Sequence, residues 1–130
     1  MNNLMIDLET MGKNKDAPIV SIGAVFFTPE TGDIGQEFYT VVSLGSAMKQ
    51  GATPDGDTIL WWLKQSSEAR AAICIDDTLS ISDALSELNH FINRHAANTK
   101  YLKVWGNGAT FDNVILRGAY ERAGQICPWA

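Results

Sequence analysis

Near the start of this chain an apolar run is interrupted by two carboxylates and ended by a glycine: Leu4-Met5-Ile6-Asp7-Leu8-Glu9-Thr10-Met11-Gly12. On a strand, successive side chains alternate between faces, so Asp7 and Glu9 share one face while Ile6 and Leu8 share the other. Same-face neighbours sit roughly 6–7 Å apart along the backbone. Carboxylates that close repel each other and are costly to bury unless a cation stands between them. An isolated Asp-x-Glu also suits an edge strand with a solvated acidic face. The apolar flanks point to the inside of a sheet instead, and so to a hard divalent ion bridging Asp7 and Glu9. A third carboxylate, Asp112, stands where a short strand gives way to a helix. Crevices at such junctions bind ligands in open α/β sheets, and a helix N-terminus keeps a carboxylate ionised. Asp is also a good N-cap. Its pairing with Asp7 and Glu9 favours an oxygen-rich pocket suited to Mg²⁺ or Mn²⁺.

These residues need a scaffold, and the pattern supplies one. Ile19 to Phe27 (IVSIGAVFF) reads as a buried strand after the Asn14–Pro18 loop. Turn residues from Thr28 to Asp33 lead into a third strand, Gln36 to Ser43, which makes an antiparallel meander. Ser21, Gly23 and Gly35 fit close backbone packing and turns. Asp57 is expected to cap a helix from Thr58 to Lys64, and Ser66 or Ser67 a second one ending at Ile73. Ala84, Leu85, Leu88, Phe91, Ile92 and His95 recur at helical spacing, predicting a helix from about Ser82 to Ala97. Lys103 to Gly106 is a fourth strand, and a helix from near Asp112 stops at Gly124. The order predicts an α/β domain with a mixed sheet.

A length of 130 residues suits one domain with one modest core. The 45% apolar and 19% charged fractions are ordinary for a soluble protein, and no run is long enough to span a membrane. The N-terminus lacks the pattern of a signal peptide. Cys74 and Cys127 match no metal or redox spacing, which points to reduced thiols in the cytoplasm. A net charge of −5 disfavours gripping a long nucleic-acid backbone, although a nuclease that holds only a chain end is compatible with it. His90 and His95 lie on different faces of their helix without a zinc spacing, so ordinary boundary histidines are expected.

Asp7-Leu8-Glu9-Thr10 resembles the first exonuclease motif of the DEDD superfamily, and Trp105-Gly106-Asn107-Gly108 through Phe111-Asp112 resembles the second. The Ile19–Phe27 strand and Trp61-Trp62-Leu63-Lys64-Gln65 fit the same group. This superfamily holds ribonuclease T, oligoribonuclease and the proofreading exonucleases. The chain is most similar to small bacterial and prophage members of the exodeoxyribonuclease VIII-like kind. The resemblance implies a ribonuclease H-like fold and hydrolysis from the 3′ end of single-stranded DNA or RNA, with two Mg²⁺ or Mn²⁺ ions.

Carried over by motif, Asp7, Glu9 and Asp112 become catalytic metal ligands. Glu9 with the backbone at Thr10 and Met11 would hold the terminal 3′ hydroxyl, Met11 would wedge against the last base, and Phe111 would line the approach. Core packing is an equal alternative for Met11 and Phe111. Trp61 and Trp62 face about 100° apart on their helix. One belongs in the core, and the other offers a base a stacking face; Trp62 is the candidate. The family's third motif, His-x-x-x-Asp or Tyr-x-x-x-Asp, has no counterpart among the 130 residues. The expectation is therefore a truncated exonuclease domain without its last helix, fourth carboxylate and general base, with apolar surface available for a homodimer. An inactive nucleic-acid-binding or partner-assembly module is the alternative.

Overall fold

The computed structural model describes residues 1–106 and 111–129, without the side chain of Phe111. The expected break after Gly106 and the role expected of Phe111 thus lie outside the described residues. Strands β1 (Asn3–Thr10), β2 (Ile19–Phe27) and β3 (Ile34–Val41) form an antiparallel meander. Strand β4 (Lys103–Gly106) adds parallel to β1, giving the order β3-β2-β1-β4. This is the mixed sheet that the pattern predicts. A third strand between two turns can only return antiparallel, whereas the helical stretch before β4 allows a parallel crossover.

Among the described residues five α-helices follow the meander: α1 (Leu44–Lys49), α2 (Gly56–Leu63), α3 (Ser67–Ile73), α4 (Ile81–His95) and α5 (Phe111–Ala123). One face of the sheet is the core. Leu4, Ile6 and Leu8 of β1 pack with Ile22, Ala24 and Phe26 of β2 against Leu85, Leu88 and Ile92 of α4 and Leu116 and Tyr120 of α5. The alternation along β1 therefore sends Asp7 to the opposite face, where it is exposed. At the seam between α4 and α5, the buried Tyr120 hydroxyl donates to Asn89 Oδ1 at 2.7 Å.

Several boundaries differ from expectation. β3 ends at Val41 rather than Ser43, because Ser43 takes the N-cap of α1 and accepts from Ser46 N. The cap of α2 is Asp55 instead of Asp57: its extended backbone precedes the helix, and its carboxylate accepts from Thr58 N at 3.1 Å. Asp57 lies in the first turn, where it pairs with Lys13 at 3.1 Å. Helix α4 starts one residue early, with Ser80 accepting from Asp83 N, and ends at His95. Gly124, at φ +68°, stops α5 as expected, since a left-handed residue costs glycine nothing. Among the described residues no helix is long and apolar enough to cross a membrane.

Candidate active site

The site is built around β1. Among the described residues β1 and β4 pair in parallel from Asn3 beside Lys103 to Ile6 beside Gly106. Leu8 is the next residue of β1 on that edge. Asp112, in the first turn of α5, reaches it: its Oδ2 accepts from Leu8 N at 3.4 Å. That bond brings the third carboxylate to the backbone between Asp7 and Glu9.

Asp7 stands opposite Gly23, which in turn stands opposite Tyr39. A Cβ on Gly23 would come within 3.9 Å of both Asp7 Cβ and the Tyr39 ring, so its absence keeps space open beside the carboxylate. A shallow cavity of about 430 Å³ lies there, lined by Met5, Asp7, Val25, Glu37 and Tyr39 among others. That volume is within the usual range for small-ligand sites. A larger groove of about 770 Å³ runs along α5 past Asn113, Arg117 and Trp129, and Asp7, Glu9 and Asp112 do not line it. Of the three carboxylates only Asp7 lines the smaller cavity, while Glu9 and Asp112 line neither.

Glu9 is held differently from Asp7. Its Oε1 accepts from Ser21 Oγ at 2.8 Å, across the β1–β2 register in which the two residues are partners. Immediately afterwards the register slips, since Thr10 pairs with Ile19. Irregularities of this kind turn a strand and re-aim its side chains. The chain beyond is tied down at each step. Trp62 Nε1 donates to Thr10 O at 2.9 Å, Thr10 Oγ1 donates to Gly12 O at 2.7 Å, and Met11 N donates to Pro18 O at 2.8 Å. The Met11 carbonyl accepts from Asp55 N at 2.9 Å. Gly12 is required by close approach, because a Cβ there would sit 2.9 Å from Ala17 Cβ and 3.3 Å from Thr53 O.

Two of the residues expected to contact substrate take the core-packing alternative in this arrangement. Trp62 is only 6% exposed and packs with Met11 and Val20, so it buttresses the turn and has no free stacking face. Met11 is 9% exposed in the same cluster, and both its backbone groups are already bonded. The reason is common to both: an apolar side chain at a tight turn is stabilised by whatever apolar surface covers that turn. Trp61, 55% exposed and edge-on to Trp62 at 5.1 Å, is the indole with an open face.

Sequence reading also overlooked the ion pairs at the mouth of this turn. Lys13 reaches Asp57 at 3.1 Å and Asp55 at 3.7 Å. The hydrogen bond to Asp57, with the charge of Asp55, holds the Lys13 ammonium above its ordinary pKa. Asp55 is held below its own, first by the Thr58 N–H and then by the Thr58 hydroxyl and Lys13.

The donor set of Asp7, Glu9 and Asp112 is oxygen only, the chemistry of a hard divalent ion. Among the described residues, no three Asp, Glu, His or Cys side chains close into a ready-made metal cage. Asp112 is brought to Leu8 and Glu9 to Ser21, while Asp7 projects outward.

Comparison with known proteins gives the family and the fold. The profile of a family described as the 3′-5′ exoribonuclease Rv2179c-like domain matches residues 2–130. An exodeoxyribonuclease of Enterobacteria phage T4 is 31% identical over 124 residues, covering 89% of this chain and 54% of that protein. The chain thus spans about half the length of this curated relative. Among solved structures, the nuclease domain of 3′hExo, a DEDDh family member bound to rAMP, superposes with a TM-score of 0.62 at 12% identity. That match covers 98% of this chain and 62% of the other. A full-length 3′-exonuclease superposes with a TM-score of 0.53 at 14% identity, over 88% of this chain and 51% of the other. At such identities the likeness is one of fold, and the fold is ribonuclease H-like.

Proposed function

Because this chain belongs to the family of 3′-5′ exoribonuclease Rv2179c-like domains, within the DEDD exonuclease superfamily, we propose that it takes the 3′ end of a single strand and hydrolyses the terminal phosphodiester. One observation carries the reading: the Asp112 carboxylate is held at the Leu8 N–H, between two carboxylates that share the outer face of β1. Asp7, Glu9 and Asp112 would hold the divalent ion, Mg²⁺ or Mn²⁺. When bound, the ion supplies charge neutralisation for the phosphate and a water of lowered pKa. The protein's own contribution is to position. The Leu8 N–H fixes Asp112, the bonded turn from Thr10 to Gly12 forms a rigid wall beside Glu9, and Gly23 leaves room at Asp7.

The 130 residues contain neither His-x-x-x-Asp nor Tyr-x-x-x-Asp, so the proposal assigns no general base. The family description names a ribonuclease and the phage relative a deoxyribonuclease, which supports testing both strands. The experiment uses 5′-labelled single-stranded RNA and DNA with Mn²⁺, resolved on a sequencing gel. A ladder that shortens from the 3′ end and disappears in Asp7→Asn supports the proposal. Internal cleavage, or a ladder that persists in Asp7→Asn, contradicts it.

A further inference from the structure

Ser21 is the one polar residue among the described buried positions, 1% exposed in the middle of β2. A buried strand position ordinarily takes a β-branched or aromatic residue, and its neighbours Ile19, Val20 and Ile22 obey that preference. A serine there gives up packing and carries a hydroxyl that must find an acceptor. It finds Glu9: Oγ donates to Oε1 at 2.8 Å, between residues already paired across the two strands. Donation to a carboxylate is a charge-assisted bond, shorter and stronger than one between neutral groups. Glu9 is also the last residue of β1 before the register slips.

We propose that Ser21 is the positioning residue of the site. It holds one oxygen of Glu9 and leaves the other to face the divalent ion or strand end. Ser21 touches neither of these itself and acts through Glu9. The inference rests on the reading of Glu9 as part of the hydrolytic site, so its test begins with a quantity that needs neither metal nor substrate.

That quantity is the set of three-bond N–Cγ and C′–Cγ couplings of Glu9, which report its χ1 populations, measured on the full chain. The wild type gives values for one rotamer, and Ser21→Ala gives averaged values with the rest of the amide spectrum retained. Ile22→Val, which loosens the opposite face of the same strand, leaves the Glu9 couplings unchanged. Ser21→Ala also weakens Mn²⁺ binding by calorimetry about 10–100-fold, the usual effect of losing a partner that orients a ligand. Should the alanine variant not fold, Ser21→Cys keeps the size with a weak donor and gives the same readouts. Glu9 couplings unchanged in a folded Ser21 variant overturn the proposal. A coupling change in a chain that binds no Mn²⁺ supports the role of Ser21 toward Glu9 and removes the hydrolytic reading instead.

Discussion

Trp61 and Trp62 are adjacent, equal in chemistry and opposite in environment, which makes them a sharp test of how the turn after β1 is held. Trp62→Phe keeps a ring in the site and deletes the indole N–H that donates to Thr10 O at 2.9 Å. Losing that bond costs about 0.5–1.5 kcal/mol net. The smaller ring leaves roughly 40 Å³ unfilled against Met11 and Val20, which at about 24 cal/mol per Å³ adds about 1 kcal/mol. The expected loss is about 2 kcal/mol, or roughly 6–10 °C in Tm for a chain of this size. Trp61→Phe trims an indole that is 55% exposed and should cost less than about 0.5 kcal/mol. Urea denaturation followed by far-ultraviolet circular dichroism measures both. Equal losses in the two variants, or a loss under about 0.5 kcal/mol for Trp62→Phe, would refute the assignment of Trp62 as the buttress. Unchanged stability with weakened single-strand binding in Trp62→Phe would return it to the role of stacking platform.

Other perturbations follow from the same geometry. Gly12→Ala should destabilise by about 1–3 kcal/mol in the same assay, because its Cβ would meet Ala17 and the Thr53 carbonyl, neither of which can swing aside. Asp112→Asn keeps an oxygen for the Leu8 N–H, so stability should change by less than about 1 kcal/mol while strand shortening on the gel falls at least about 100-fold. Burial, with Cys127 adding to it, pushes the Tyr120 phenol well above its ordinary value of 10.0. The unfolded chain therefore releases that proton from about pH 10 while the folded chain retains it, so stability is full below pH 10 and falls as pH rises beyond it. Tyr120→Phe should remove that part of the alkaline slope and cost about 1 kcal/mol at neutral pH by losing the bond to Asn89.

Much of the scaffold was legible because local and global preferences agree. β2 and β4 run from Ile19 to Phe27 and from Lys103 to Gly106, as the apolar runs and their flanking turn residues predict. Asp7 and Glu9 share a face because strand alternation permits nothing else. What escaped reading depends on tertiary placement. Helix α1 is six residues long and contains Gly45, too short and too weakly patterned to announce itself. In α2, Ile59-Leu60-Trp61-Trp62-Leu63 is apolar all round, so periodicity cannot choose the inward tryptophan; the Thr10 carbonyl chooses it. Asp55 and Asp57 have the same capping chemistry, and the backbone conformation at Asp55 selects between them. The Ser21–Glu9 bond follows from the strand register, which neither residue reveals alone.

Under the proposed function, Asp7, Glu9 and Asp112 gather around one divalent ion beside Leu8 of β1. Titrating Mn²⁺ into ¹⁵N-labelled protein tests it most directly, since the ion broadens the amide signals nearest to it. Selective loss of the Asp7, Leu8, Glu9 and Asp112 amides is expected at low Mn²⁺, with recovery of all four in Asp7→Asn. Broadening centred instead on His90 and His95, or a pattern unchanged by Asp7→Asn, would contradict it.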